Sequence, residues 1–118
     1  MLQRTGKASI YADRFEGRET ASGAPFRQDE LTAASRDLPL GSRIRVTNPR
    51  SGHTVHLEVT DRGPFVRGRI LDLSRAAAHR LGIDPRAGLA TVRIEVFAGD
   101  QSDDTVRQAL RRHQQRAR

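Results

Sequence analysis

Apolar and polar residues alternate over four stretches of the chain, with the two-residue period of strands that bury one face. Gly6 to Tyr11 is the first. Residues 43–47 predict a second, with Ile44 and Val46 inward. After a turn at Asn48-Pro49-Arg50-Ser51-Gly52, residues 53–60 return as its hairpin partner. In that partner Val55, Leu57 and Val59 take one face, and Thr54, His56, Glu58 and Thr60 the other. Ala90, Val92, Ile94 and Val96 mark the last strand. A weak likeness between Gly41-Ser42-Arg43-Ile44-Arg45-Val46 and residues 90–96 suits two related halves. Residues 12–37 predict a long loop. Ser74 has the chemistry of an N-cap, residues 75–81 predict a short helix, and Gly82 is its stop.

After Gly99 the alternation ends. Residues 102–118 are polar, with Val106 and Leu110 the main apolar pair at helical spacing and Arg107, Arg111, Arg112, Arg116 and Arg118 supplying charge. This reads as a solvated helix or the start of a linker, with a polyanion-binding tail as the sharper alternative. The expected division is a barrel domain over residues 1–99 and a polar, basic tail over 100–118. Truncation after Gly99 is expected to leave the fold intact.

At 118 residues the chain fits one domain with a small core. Alternating segments with frequent Gly and Pro favour an all-β barrel over a helical bundle. No apolar run approaches a membrane span, and residues 1–5 show no apolar core of a secretory signal. There is no Cys, which excludes disulfides, Cys-based metal sites and a lipidated Cys. His53 and His56 stand three apart on a strand and face opposite ways, and no helical His pair exists. His79 and His113 read as surface residues, so no metal and no cofactor are expected. The net charge is +7, carried by Arg except for Lys7. Such a balance attracts polyanions. Nucleic acid is not the expected partner, because Tyr11 and Phe15, Phe26, Phe65 and Phe97 are few stacking platforms for bases. Other anionic polymers account for the charge equally well, and a monomer is expected.

The candidate chemistry lies at the end of the third strand, in Val59-Thr60-Asp61-Arg62-Gly63-Pro64-Phe65. Asp61 shares the parity of the apolar set, so its carboxylate points toward the core side, where Gly63-Pro64 breaks the strand and opens a rim. Parity turns Arg62 to the opposite face. A partly desolvated carboxylate at a cavity mouth is a candidate acid, with Val59 and Phe65 as the apolar neighbours that would favour its neutral form. The plain alternative is an Asp that accepts backbone N–H bonds from its own turn. Tyr11 reads either as a ligand contact or as core. Arg14, Arg18, Arg62, Arg67 and Arg69 lie near the proposed groove and are candidates for binding carboxylate or hydroxyl oxygens of a ligand.

Thr60-Asp61-Arg62-Gly63-Pro64-Phe65 and Asp72-Leu73-Ser74-Arg75-Ala76-Ala77-Ala78 resemble matching blocks of the RlpA-like family of bacterial envelope proteins. Gly6-Lys7-Ala8-Ser9-Ile10-Tyr11 resembles the opening strand of that family, and residues 15–23 its first loop. Leu31-Thr32-Ala33-Ala34 with Leu38-Pro39-Leu40-Gly41 resembles the segment that follows. The resemblance runs in order from about residue 6 to 97. It implies a six-stranded double-psi β-barrel, barwin- and expansin-like, with a short helix. It also implies a lytic transglycosylase that cleaves peptidoglycan glycan strands, preferably those lacking stem peptides, in the periplasm or cell envelope. Asp61 is then the catalytic acid and base, with Tyr11, Arg62, Arg69 and Asp72 as substrate contacts. Asp72 binds sugar or orients Asp61 in that reading; otherwise it accepts backbone bonds before the Ser74 cap.

Three positions depart from the family pattern. A Glu usually follows the Thr-Ala-x-Gly run, but Ala24 stands there; a His usually follows Leu-Thr-Ala-Ala, but this chain has Ser35; and Ile10 replaces an aromatic residue. Asp29 and Glu30 are nearby candidates for a substitute acid. One acid is chemically sufficient for a lytic transglycosylase, because the muramic acid's own 6-hydroxyl attacks its anomeric carbon, whereas ordinary hydrolysis uses two carboxylates. The competing expectation is a non-catalytic, expansin-like glycan-binding module.

Overall fold

In the computed structural model, which describes residues 2–116, the four expected strands are joined by two more to close a ring. The strands are β1 (Leu2–Ile10), β2 (Thr32–Ala34), β3 (Arg43–Thr47), β4 (Thr54–Asp61), β5 (Arg69–Leu73) and β6 (Ala90–Val96), in the spatial order β1-β5-β2-β4-β3-β6. The β1–β5 and β2–β4 pairs are parallel and the others antiparallel. Advancing every strand number by three reproduces the same neighbours and the same parallel pairs. The ring therefore has a pseudo-twofold, which relates β3 to β6, the two segments whose likeness the sequence shows.

Cross-strand pairs of branched side chains fill the interior. Ile44 faces Leu57, and Val46 faces both Val55 and Ile94. With Val59, Leu71, Leu73 and Val92 they are buried. Each such side chain contributes about 1.5–3 kcal/mol relative to exposure. A Cβ on Gly6 would come within 2.8 Å of Ile70, so glycine is what allows β1 to lie this close to β5.

The first strand begins at Leu2 rather than residue 6, because residues 2–8 pair with β6 one by one. The two added strands lie where a loop or a motif block was expected. β2 has three residues, too few to show a period, and is strand only because β4 and β5 flank it. Helix α1 (Arg75–Arg80) is capped as expected, the Ser74 hydroxyl accepting the Ala77 N–H at 3.2 Å. Gly82 follows with φ +70°.

The tail differs from expectation. Residues Asp104–Arg116 form helix α2, and it packs on the barrel instead of standing in solvent. Leu110 is 3% exposed and Val106 joins the edge of the core, so one apolar pair at helical spacing suffices to dock the helix. Gln101 ties the preceding segment to β3: its side chain accepts the Arg43 N–H (2.7 Å) and donates to the Arg43 carbonyl (2.8 Å). His113 is not a free surface group, lying 3.7 Å from Asp37, which also pairs with Arg4 at 3.1 Å. Arg118 lies outside the described residues.

Candidate active site

One row of cross-strand partners carries the polar chemistry. Ser9 on β1 pairs with Asp72 on β5, Asp72 with Ala34 on β2, and Ala34 with Asp61 at the end of β4. The two carboxylates thus flank β2, roughly 10 Å apart at the backbone by ordinary strand spacing. Asp61 is half-buried at the end of β4, just past a register shift in its pairing with β2. Ser9, Tyr11, Asp61, Arg69 and Asp72, with Ile10, Phe15 and Arg62, line an open cavity of about 310 Å³. A larger cavity, about 450 Å³, lies by Lys7, Arg50 and Asp84, but it brings no pair of carboxylates together.

Three donors hold the Asp61 carboxylate. Oδ1 accepts the backbone N–H groups of Ala21 and Arg62, each at 2.9 Å, and Oδ2 accepts the Tyr11 hydroxyl at 2.8 Å. The plain expectation of a turn-bonded Asp is therefore met at one oxygen, while the other shares a proton donor inside the cavity. Ala21 belongs to a folded-back loop, in which Glu19 bridges Pro25 and the Thr20 hydroxyl donates to the Ala24 carbonyl at 2.7 Å. The Ser22 N–H donates to the Thr60 carbonyl at 3.0 Å, so this loop is pinned to the end of β4 beside the acid.

Tyr11 is both core and site. Its ring stacks on buried Phe26 (4.1 Å, 30°) and meets Phe15 edge-on (5.9 Å, 77°). Burial, then the hydrogen bond to Asp61 and the charges of Asp61 and Asp72, push its phenol well above the ordinary tyrosine range. Tyr11 is thus a hydrogen-bond donor to Asp61 at physiological pH. Asp72 accepts the hydroxyl of Ser9. Ser9 is the site residue that sequence reasoning missed. It shares strand parity with Tyr11, but its partner is 63 residues away, beyond any local pattern.

Of the five expected residues, Tyr11, Asp61, Arg69 and Asp72 come together in the lining of the cavity. Arg62 lines it too, but its guanidinium turns away, and Nη1 donates to the carbonyls of Ser35 (3.1 Å) and Leu38 (2.6 Å). It braces the neighbouring loop. Phe65 does not shield Asp61: it is 76% exposed, and Ile10, Tyr11 and Phe15 form the apolar wall instead. Arg14 and Arg18 lie over the Phe15 ring at 5.0 and 5.6 Å. Ala24 is exposed in its loop, and Ser35 is 1% exposed with its hydroxyl accepting the Leu38 N–H, so neither offers a titratable group. Asp29 and Glu30 are exposed and outside the cavity. His53 lies against Gly82 and His56 beside Arg45. Among the described residues no three His, Cys, Asp or Glu side chains cluster to hold a metal.

A closed six-strand ring with two parallel pairs and a polar row at its mouth defines a double-psi β-barrel of the expansin- and barwin-like kind. Its fold matches the Clavibacter michiganensis expansin with a TM-score of 0.63 at 26% identity, over 81% of this chain and 50% of that one. It matches the Streptomyces papain inhibitor with a TM-score of 0.61 at 24% identity, over 80% and 93%. The chain belongs to the RlpA-like family of double-psi barrels: the family described as "Lytic transglycolase" matches residues 3–94. Its sequence is 53% identical over 98 residues to the "Probable endolytic peptidoglycan transglycosylase RlpA" of Nostoc sp., covering 81% of this chain and 26% of that protein. It is 47% identical over 98 residues to the "Endolytic peptidoglycan transglycosylase RlpA" of Pasteurella multocida, covering 83% and 33%. The chain thus spans a quarter to a third of the length of these two relatives.

Proposed function

We propose that this barrel binds peptidoglycan glycan strands in the bacterial envelope and cleaves them by lytic transglycosylation, with Asp61 as acid and then base. The observation that supports this most is the Asp61 carboxylate itself, held at the cavity mouth with Oδ1 fixed by two backbone N–H groups and Oδ2 shared with Tyr11. In its protonated form Asp61 gives its proton to the glycosidic oxygen as the bond to the muramic C1 breaks. The 6-hydroxyl of the same sugar attacks C1 and closes a 1,6-anhydro ring, and its proton passes to the Asp61 carboxylate, which restores the acid. No water is consumed, so the second carboxylate that hydrolysis requires is not needed. Because nucleophile and electrophile belong to one sugar, positioning supplies much of the acceleration. Tyr11 orients Asp61, and Asp72 and Arg69 take sugar hydroxyls and the muramic carboxylate.

The test is mass spectrometry of the products from peptide-free glycan strands, with the parent chain and Asp61→Asn. Asn keeps an oxygen acceptor for the Ala21 and Arg62 N–H groups, so the variant reads chemistry and not folding. Anhydro-muramyl ends should form with the parent and fall by at least about 100-fold in the variant. A second reading is favoured by Ala24 and Ser35, which leave Asp61 without the family's Glu and His. If the parent releases nothing while both chains sediment with the glycan, the domain is a non-catalytic binding module and the acid assignment falls.

A further inference from the structure

Phe65 is the one aromatic side chain without an aromatic or cationic partner among the described residues. Tyr11, Phe15 and Phe26 pack on one another, and the Arg45 guanidinium covers Phe97 at 4.7 Å. Phe65 stands 76% exposed beside Val66, which is 50% exposed, in a protein whose other large apolar side chains are mostly inside. Its loop is nonetheless fixed. Gly63 and Pro64 are buried, Arg62 is tied to two carbonyls, the Arg69 N–H donates to Val66 (3.1 Å), and the Lys7 N–H donates to Gly68 (3.1 Å). The ring is held out on a braced segment, so little conformational freedom remains to be lost when something covers it.

Its position says what covers it. A Cβ built on Gly63 would lie 3.7 Å from the Phe65 ring and 3.9 Å from Asp72 Oδ2. Ring and carboxylate therefore flank a single α-carbon, and the carboxylate belongs to a residue that lines the Asp61 cavity. A pyranose presents an apolar face of C–H groups and a rim of hydroxyls, which is the complement of a phenyl face beside a carboxylate. Two apolar side chains are far too few for a stable protein interface, which buries about 800 Å² on each partner. The same loop carries the exposed Arg67, whose charge suits a hydroxyl- and carboxylate-rich polymer.

We propose that Phe65 is the stacking platform of this site, its ring taking the C–H face of the sugar whose hydroxyls Asp72 binds, so that the strand lies with its scissile bond over Asp61. This rests on the glycan-strand reading above. The test is the affinity for peptide-free glycan fragments, measured by calorimetry in the Asp61→Asn background so that strands are not consumed. Adding Phe65→Ala should weaken binding by about 3- to 10-fold, with an unchanged thermal unfolding midpoint because the ring is exposed. Phe65→Trp should restore the affinity. It also introduces the chain's only Trp, whose fluorescence should shift saturably with the same midpoint. Undiminished affinity of Phe65→Ala, or an indole that ignores saturating glycan, overturns the platform while leaving glycan binding standing. No binding by Asp61→Asn itself removes the glycan reading, and the platform with it.

Discussion

At the residue scale, Tyr11 offers a direct probe of the site because it is the chain's only tyrosine. Its phenol is raised by burial and by its contact with Asp61. A group whose folded pKa lies above its unfolded value contributes stability that is present below the unfolded value, about 10 for Tyr, and lost as pH rises beyond it. Tyrosinate absorbance should therefore stay low past about pH 10 and appear together with unfolding. In Asp61→Asn, which removes the negative charge beside the hydroxyl, it should appear earlier. An ordinary titration of the folded parent would refute the Tyr11–Asp61 pairing. Two of the three departures from the family pattern, Ala24 and Ser35, separate by burial. Ala24 is exposed, so Ala24→Glu should change stability by no more than about 0.5 kcal/mol. If the domain is an enzyme, that substitution should raise anhydro-product formation by up to about 100-fold. Ser35 is fully enclosed and bonded to Leu38, so Ser35→His overpacks its site and should cost about 1–3 kcal/mol in denaturant unfolding.

At the scale of elements, period was legible and pairing was not. The hairpin over β3 and β4, the last strand and the capped α1 follow from alternation and turn chemistry, since those signals are local. The strands β2 and β5 were invisible as strands because three or five residues owe their conformation to neighbours far along the chain. The same limit divides the site. Asp61 could be placed at the end of one strand, but its meeting with Tyr11, 50 residues away, depends on closure of the ring. Arg62, expected as a substrate contact, instead braces the Ser35 and Leu38 carbonyls, and Phe65 was misplaced because the loop's path beyond Gly63 has no period to follow. Helix α2 shows how little pattern docking requires. With Leu110 buried and Gln101 bonded to both the N–H and the carbonyl of Arg43, truncation after Gly99 should lower stability measurably rather than leave it unchanged. The single change Leu110→Ala should cost about 2–5 kcal/mol. Equal urea midpoints for the parent and Leu110→Ala would show that the helix contributes nothing to the barrel.

At the scale of the whole molecule, closure and charge act on the same mouth. The ring has no free edge, so the row from Ser9 to Asp61 is held by strands paired on both sides, and ligand binding need not order it first. The net charge is +7; Arg69 lines the cavity beside this row, and Arg14 and Arg18 stand over the Phe15 ring in its wall. Exposed charges interact over about a Debye length, roughly 10 Å at 0.1 M salt and about 3 Å at 1 M. Attraction to the muramic carboxylates should therefore be screened as salt rises, whereas stacking and hydroxyl contacts should not. Retention of peptide-free peptidoglycan strands should fall several-fold between about 0.05 and 0.5 M salt. A neutral chito-oligosaccharide of equal length, which lacks the carboxylates but keeps the sugar faces, should bind more weakly at low salt and change little. Parallel salt dependence for the two ligands would mean that the arginines do not read the muramic carboxylate, and recognition would then rest on the cavity and its rim alone.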